Sequence, residues 1–60
     1  MPYVHVRVAG ELTLEQKKLI SQQMTEVLSE VAGKPPSVTY VVIEEIKRDN
    51  WAVGGKLLSQ

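Results

Sequence analysis

Val4, Val6 and Val8 alternate with Tyr3, His5 and Arg7, so the chain opens on the two-residue period of a strand with one apolar face. The pattern covers Met1 to Ala9 and stops at Gly10. Beyond Glu11-Leu12 the period changes. Thr13 followed by Gln16 fits a capping box, in which the hydroxyl takes an early backbone N–H and the glutamine reaches back. Glu15 suits the positive end of a helix dipole. Ile20, Met24, Val27, Leu28 and Val31 then recur on one helical face, with Lys17, Lys18, Gln22, Gln23, Glu26, Ser29 and Glu30 over much of the rest. Gly33 and the pair Pro35-Pro36 end it, which predicts a helix over Thr13–Ala32. Ser37–Ile46 is dense in β-branched residues and reads as a second strand, apolar enough in its middle to be covered on both faces.

Strand, long helix, strand is the minimal βαβ unit, whose crossover is right-handed and whose strands are parallel. One face of that two-stranded sheet packs under the helix, and only another subunit is left to cover the other. Lys47-Arg48-Asp49-Asn50 reads as a polar turn. Trp51-Ala52-Val53-Gly54-Gly55 puts the single tryptophan ahead of two glycines that fit a hairpin or tight return. The tail Lys56–Gln60 is half apolar and is expected to lie against a neighbouring chain. The fold class is therefore α/β: one domain over residues 1–60, a βαβ unit with a short C-terminal hairpin, assembled into an oligomer.

Size sharpens the case for assembly. Sixty residues bury only ~60% of the surface that the unfolded chain exposes, and chains this small usually need a staple. There is no cysteine and one histidine, which removes disulfides and zinc-type clusters. Hydrophobic residues make up 43% of the chain, generous for a monomer with one helix. Seven basic residues balance seven acidic ones without long runs, which argues against a nucleic-acid surface. No membrane span or signal segment is evident, so a cytoplasmic protein is expected.

The candidate chemistry lies at the first strand's start. Pro2 follows the initiator methionine. Clipping of Met1, normal before so small a residue, leaves a free secondary amine on a rigid element. With Met1 retained the nitrogen is an amide and no base exists. By position alone, a proline that merely begins an edge strand is the more ordinary reading.

The whole pattern resembles the 4-oxalocrotonate tautomerase family of the tautomerase superfamily. The residues that carry the resemblance are Met1-Pro2 before an alternating strand, Glu15-Gln16-Lys17 at the helix start, Val41-Val42-Ile43-Glu44-Glu45, and Asp49-Asn50-Trp51-Ala52-Val53-Gly54-Gly55-Lys56. It implies subunits paired into dimers and commonly gathered as a homohexamer, and a catalytic amino-terminal proline, here Pro2. It implies cofactor-free proton transfer that converts enols or unconjugated ketones to conjugated ketones, with Trp51 in the apolar wall. A base of this kind needs a pKa near the working pH, which burial and nearby cations would provide. Trp51 and Tyr40 are the candidates for the dry wall, and Arg7 or Arg48 for the cations.

In one respect the chain departs from that pattern. Leu12 and Tyr40 stand where the best-known members carry arginines that grip substrate carboxylates. Neither can imitate an arginine fork, so a monocarboxylate or neutral aryl enol is expected to be handled better than a dicarboxylate. His5 is read as a strand residue facing an interface. Arg7 is open between a salt bridge and a pocket cation, and Lys34 is a further polar candidate. Two other functions stay open: an oligomeric scaffold without catalysis, and a related hydratase or dehalogenase.

Overall fold

The computed structural model describes residues 1–60. Strand β1 (Tyr3–Ala9) is followed by helix α1 (Leu14–Ala32) and strand β2 (Tyr40–Ile46). A short hairpin then closes the chain, β3 (Ala52–Val53) with β4 (Lys56–Leu57). β1 and β2 are parallel and in simple register, from Tyr3 beside Tyr40 to Ala9 beside Ile46. The ladder reaches beyond both ends of β1: Tyr40 donates to the Pro2 carbonyl at 2.9 Å, and Gly10 donates to the Ile46 carbonyl at 2.8 Å. A βαβ unit with a C-terminal antiparallel hairpin is thus the architecture that the hydrophobic pattern predicts.

The helix starts where its cap chemistry dictates. Thr13 accepts from the Gln16 amide at 3.1 Å, and Gln16 Oε1 accepts from the Thr13 amide at 2.9 Å, completing the reciprocal box. At the other end Gly33 has φ +66°, and the amides of Gly33 and Lys34 close on the Ser29 and Leu28 carbonyls. No helix in the chain is long and apolar enough to cross a membrane.

Two sequence expectations need correction. Ser37, Val38 and Thr39 are not strand: Pro36–Val38 form a 3₁₀ turn capped by Thr39, and pairing begins at Tyr40. Pro36, lacking an N–H, is suited to open that turn and could not have joined the ladder. The helix face is also rotated from the one predicted. Lys17, Ile20, Ser21, Thr25, Leu28 and Ser29 are the half-buried positions, whereas Val27 and Val31 are 52% and 83% exposed. The half-buried side keeps only the Ile20–Leu28 edge of the apolar stripe and adds the small polar Ser21, Thr25 and Ser29, leaving Met24, Val27 and Val31 outward. Ser21 and Thr25 donate back to the Lys17 and Ser21 carbonyls, which leaves no hydroxyl stranded on that side.

The opposite face of the sheet is open. Val4, Val6, Val41 and Ile43 turn toward the helix and are half-buried, while Tyr3, Tyr40 and Val42 are 62%, 53% and 41% exposed. β2 is therefore covered on one face within the chain, not on both. No residue of the chain is fully buried. Its accessible surface is 4752 Å², against about 3,900 Å² for a compact monomer of this size. The radius of gyration is 14.3 Å, where about 10 Å would be ordinary. A chain with so little interior of its own is expected to gain stability from contacts with other chains. Thermal and denaturant midpoints should accordingly rise with protein concentration; a compact, stable monomer sedimenting at micromolar concentration would contradict this.

Candidate active site

Pro2 stands half-buried at the amino-terminal end of β1, with the more exposed Met1 ahead of it. The Tyr40 amide anchors its carbonyl, so the residue is fixed by the sheet although it lies outside the strand proper. That same pairing brings Tyr40 beside Tyr3, next in sequence to Pro2. Tyr3 in turn sits over His5, their ring centroids 6.2 Å apart and the planes tilted by 57°. With Met1 attached, the Pro2 nitrogen is a peptide nitrogen; a base there requires the free amine.

The remaining candidates are divided between the two ends of the sheet. α1 runs back along the strands, so Lys34, just past its end, lies at the Pro2 end. Leu12, Arg48 and Trp51 lie at the other, where both parallel strands finish. At a rise of about 3.3 Å per residue, the two ends are roughly 20 Å apart. One chain therefore joins Pro2 with Tyr40 but not with Leu12, Arg48 or Trp51. That separation follows from the parallel pairing of β1 and β2.

Arg7 is placed midway on the open face and is already engaged. Its Nε donates to Glu44 Oε1 at 2.8 Å, and the same oxygen lies 2.9 Å from His5 Nε2. Of the two roles open to Arg7, the salt bridge is the one seen. The Arg7 hydrogen bond and charge, helped by His5, hold the Glu44 carboxyl below the usual carboxylate range, against a partly opposing desolvation.

Glu45 was not singled out by sequence reasoning, yet it ties the far end together. It pairs with Lys17 on α1 and accepts from the Leu12 amide at 2.9 Å. One carboxylate on β2 thereby fixes both the helix start and the loop that carries Leu12. The Lys17 hydrogen bond, then that of Leu12, lower its pKa. Only the alternation of β2 could have hinted at this: Glu45 breaks the apolar side of the strand at the register of Val8. Beyond β2, Arg48 opens a 3₁₀ turn, Arg48–Asn50. Its guanidinium lies against Gly10, where an added methyl would stand 3.5 Å from Nε. Gly10 has φ +90°, so its lack of a side chain serves the backbone as well. Trp51 is half-buried, and its carbonyl accepts the Leu58 amide at 2.8 Å, which folds the tail back onto the turn. Gly54 and Gly55, at φ +61° and +84°, form the two-residue hairpin turn.

A family model for tautomerase enzymes matches residues 2–60, from the proline to the last residue. The chain belongs to the tautomerase family. It is 38% identical over 61 residues to a probable tautomerase, K2, of Dickeya dadantii, covering 100% of this chain and 91% of that one. To the 2-hydroxymuconate tautomerase of Bacillus subtilis it is 41% identical over 59 residues, covering 98% and 95% of the two chains. Among solved structures, YwhB, a homologue of 4-oxalocrotonate tautomerase, superposes with a TM-score of 0.92 at 39% identity, covering 98% of this chain and 97% of that one. The matching model is one of tautomerase enzymes, and this chain is accordingly an enzyme of the tautomerase type.

The two carboxylates give this tautomerase a defined acid response. Both Glu44 and Glu45 have pKa values lowered by folding, so their contribution is present above the ordinary glutamate pKa. It is lost as pH falls through the lowered values. Glu45→Gln should be less stable than wild type at pH 7 and should lose less stability between about pH 5 and pH 3, around the ordinary value near 4.3. Denaturant titrations across that range check this, and parallel pH profiles for the two proteins would contradict it.

Proposed function

We propose that this tautomerase is a cofactor-free keto–enol isomerase whose general base is the free amine of Pro2, exposed by removal of Met1. The observation that carries the reading is the placing of Pro2 one residue before β1, its carbonyl tied to Tyr40. A base so held keeps its position through the reaction, because the sheet and not a loop supports it. The amine takes the proton of an enol hydroxyl as the carbonyl forms, and the resulting ammonium returns a proton to the enol carbon. No atom is gained or lost, and no redox partner is required.

The pocket is built between copies. Pro2 and Tyr40 come from one chain, and Trp51 with the adjoining turn from another; Leu12 adds apolar surface at the same end as Trp51. Support comes from the roughly 20 Å between the two ends and from the absence of any buried residue. The assembly we infer is a dimer, or a homohexamer built from dimers, which covers the open face of the sheet. Trp51 and Leu12 then enclose the amine in apolar surroundings that favour its uncharged, reactive form. The substrate is a small enol or 2-oxo acid, and a monocarboxylate is preferred to a dicarboxylate because Leu12 and Tyr40 offer no arginine fork. That same lack is the one observation favouring a scaffold without catalysis.

A single experiment separates these readings. With Met1 removal verified by intact mass, wild type should convert phenylenolpyruvate to its keto form faster than it converts 2-hydroxymuconate. Pro2→Ala should lose about 10²–10⁴ in turnover and still fold, since a proline at that position donates nothing to the ladder. Undiminished turnover by Pro2→Ala would remove Pro2 as the base, and an inactive wild type would favour the scaffold.

A further inference from the structure

The two arginines and Lys17 differ in what they face. Arg7 is occupied by Glu44 and Lys17 by Glu45. Arg48 makes no ion pair and no side-chain hydrogen bond within the chain. It lines an open cleft beyond the carboxyl ends of β1 and β2, together with Gly10, Glu11, Ile46, Lys47 and Asp49. The acidic members of that group do not reach it: neither Glu11 nor Asp49 forms a salt bridge. An arginine with all five donors unspent, beside a cleft, suits a planar carboxylate better than any other cation in this chain.

The support under Arg48 is firm. The Gly10 amide closes on Ile46 at 2.8 Å, and the guanidinium rests against Gly10. Its own carbonyl receives the Trp51 amide at 3.4 Å, so the cation and the aromatic residue share one turn. The charges in the cleft limit what can enter. Lys47 and Arg48 are offset by Glu11 and Asp49, while Glu45 is spent on Lys17. Arg48 offers one carboxylate a bidentate partner, whereas a second finds only the point charge of Lys47 among acidic side chains.

We infer that Arg48 is the specificity-determining residue that reads the single carboxylate of an aryl or alkyl enol acid, with Trp51 beside it along the apolar part. The inference rests on the composite pocket proposed above, in which Arg48 of one chain faces the Pro2 end of another. It concerns recognition of charge, and its test does not require that Pro2 be the base.

The test compares phenylenolpyruvate with its methyl ester, which differ in the carboxylate charge. Arg48→Gln should lower kcat/KM for the acid by about ten- to a hundredfold, the worth of one charged contact. The ester should change less than about twofold, since it has no anion to lose. Arg48→Lys, which keeps the charge without the fork, should recover part of the loss. Phenylacetate, which undergoes no tautomerisation, reads the contact without catalysis: its Kd by calorimetry should weaken in Arg48→Gln by a similar factor. Equal losses for acid and ester, or an unchanged phenylacetate Kd, would overturn the assignment. An inactive wild type that still binds phenylacetate through Arg48 would sink the Pro2 reading alone.

Discussion

A two-stranded sheet has two faces, and one helix covers only one of them. Nearly everything distinctive about this tautomerase follows from that constraint. The helix takes Val4, Val6, Val41 and Ile43, leaving Tyr3, Tyr40 and Val42 to solvent in the single chain. Because the strands are only seven residues long, even the covered face does not bury a residue completely. A chain in this condition has apolar surface to give away on both sheet and helix, and burying it against copies of itself is the main favourable term left. Folding and association are accordingly expected to be coupled.

Parallel pairing adds the second consequence. It sends the amino ends of both strands to one side and their carboxyl ends to the other, with the helix as the return path. Chemistry at the start of the chain is thus kept away from chemistry after β2. The two glutamates act within this frame in different ways. Glu44 neutralises Arg7 on the open face, beside His5, so that face can be covered without leaving a bare cation. Glu45 works on the helix side, locking Lys17 and the Leu12 amide to the strand. Neither reaches Arg48, which is left as the one arginine of the chain with no acidic partner.

Much of this was legible in the sequence because the relevant signals are local. The alternation of β1, the Thr13–Gln16 box, Gly33 and the Gly54-Gly55 turn each specify a backbone state within a few residues, and each is found. Where proline and strand propensity competed, at Ser37–Thr39, proline prevailed and the strand began three residues late. Tertiary facts were harder to read. That Val27 and Val31 stand outside the covered side depends on how the helix is turned over the sheet, which helical periodicity does not encode. Glu45 as a latch depends on the register of two strands separated by the whole helix. The resemblance supplied a list of site residues, and the predicted parallel topology already implied their division between the two ends of the sheet.

Subunit mixing tests most directly the proposed site, in which Pro2 of one chain meets Trp51 and Arg48 of another. Pro2→Ala and Trp51→Ala chains, each of low activity alone, are unfolded together, refolded as a one-to-one mixture and assayed with phenylenolpyruvate. In a mixed pair, one site receives Pro2 from the Trp51→Ala chain and Trp51 from the Pro2→Ala chain, and is therefore intact. Random pairing should restore about a quarter of wild-type activity. A mixture no more active than the average of its two components would place both residues in one chain's site and contradict the composite pocket.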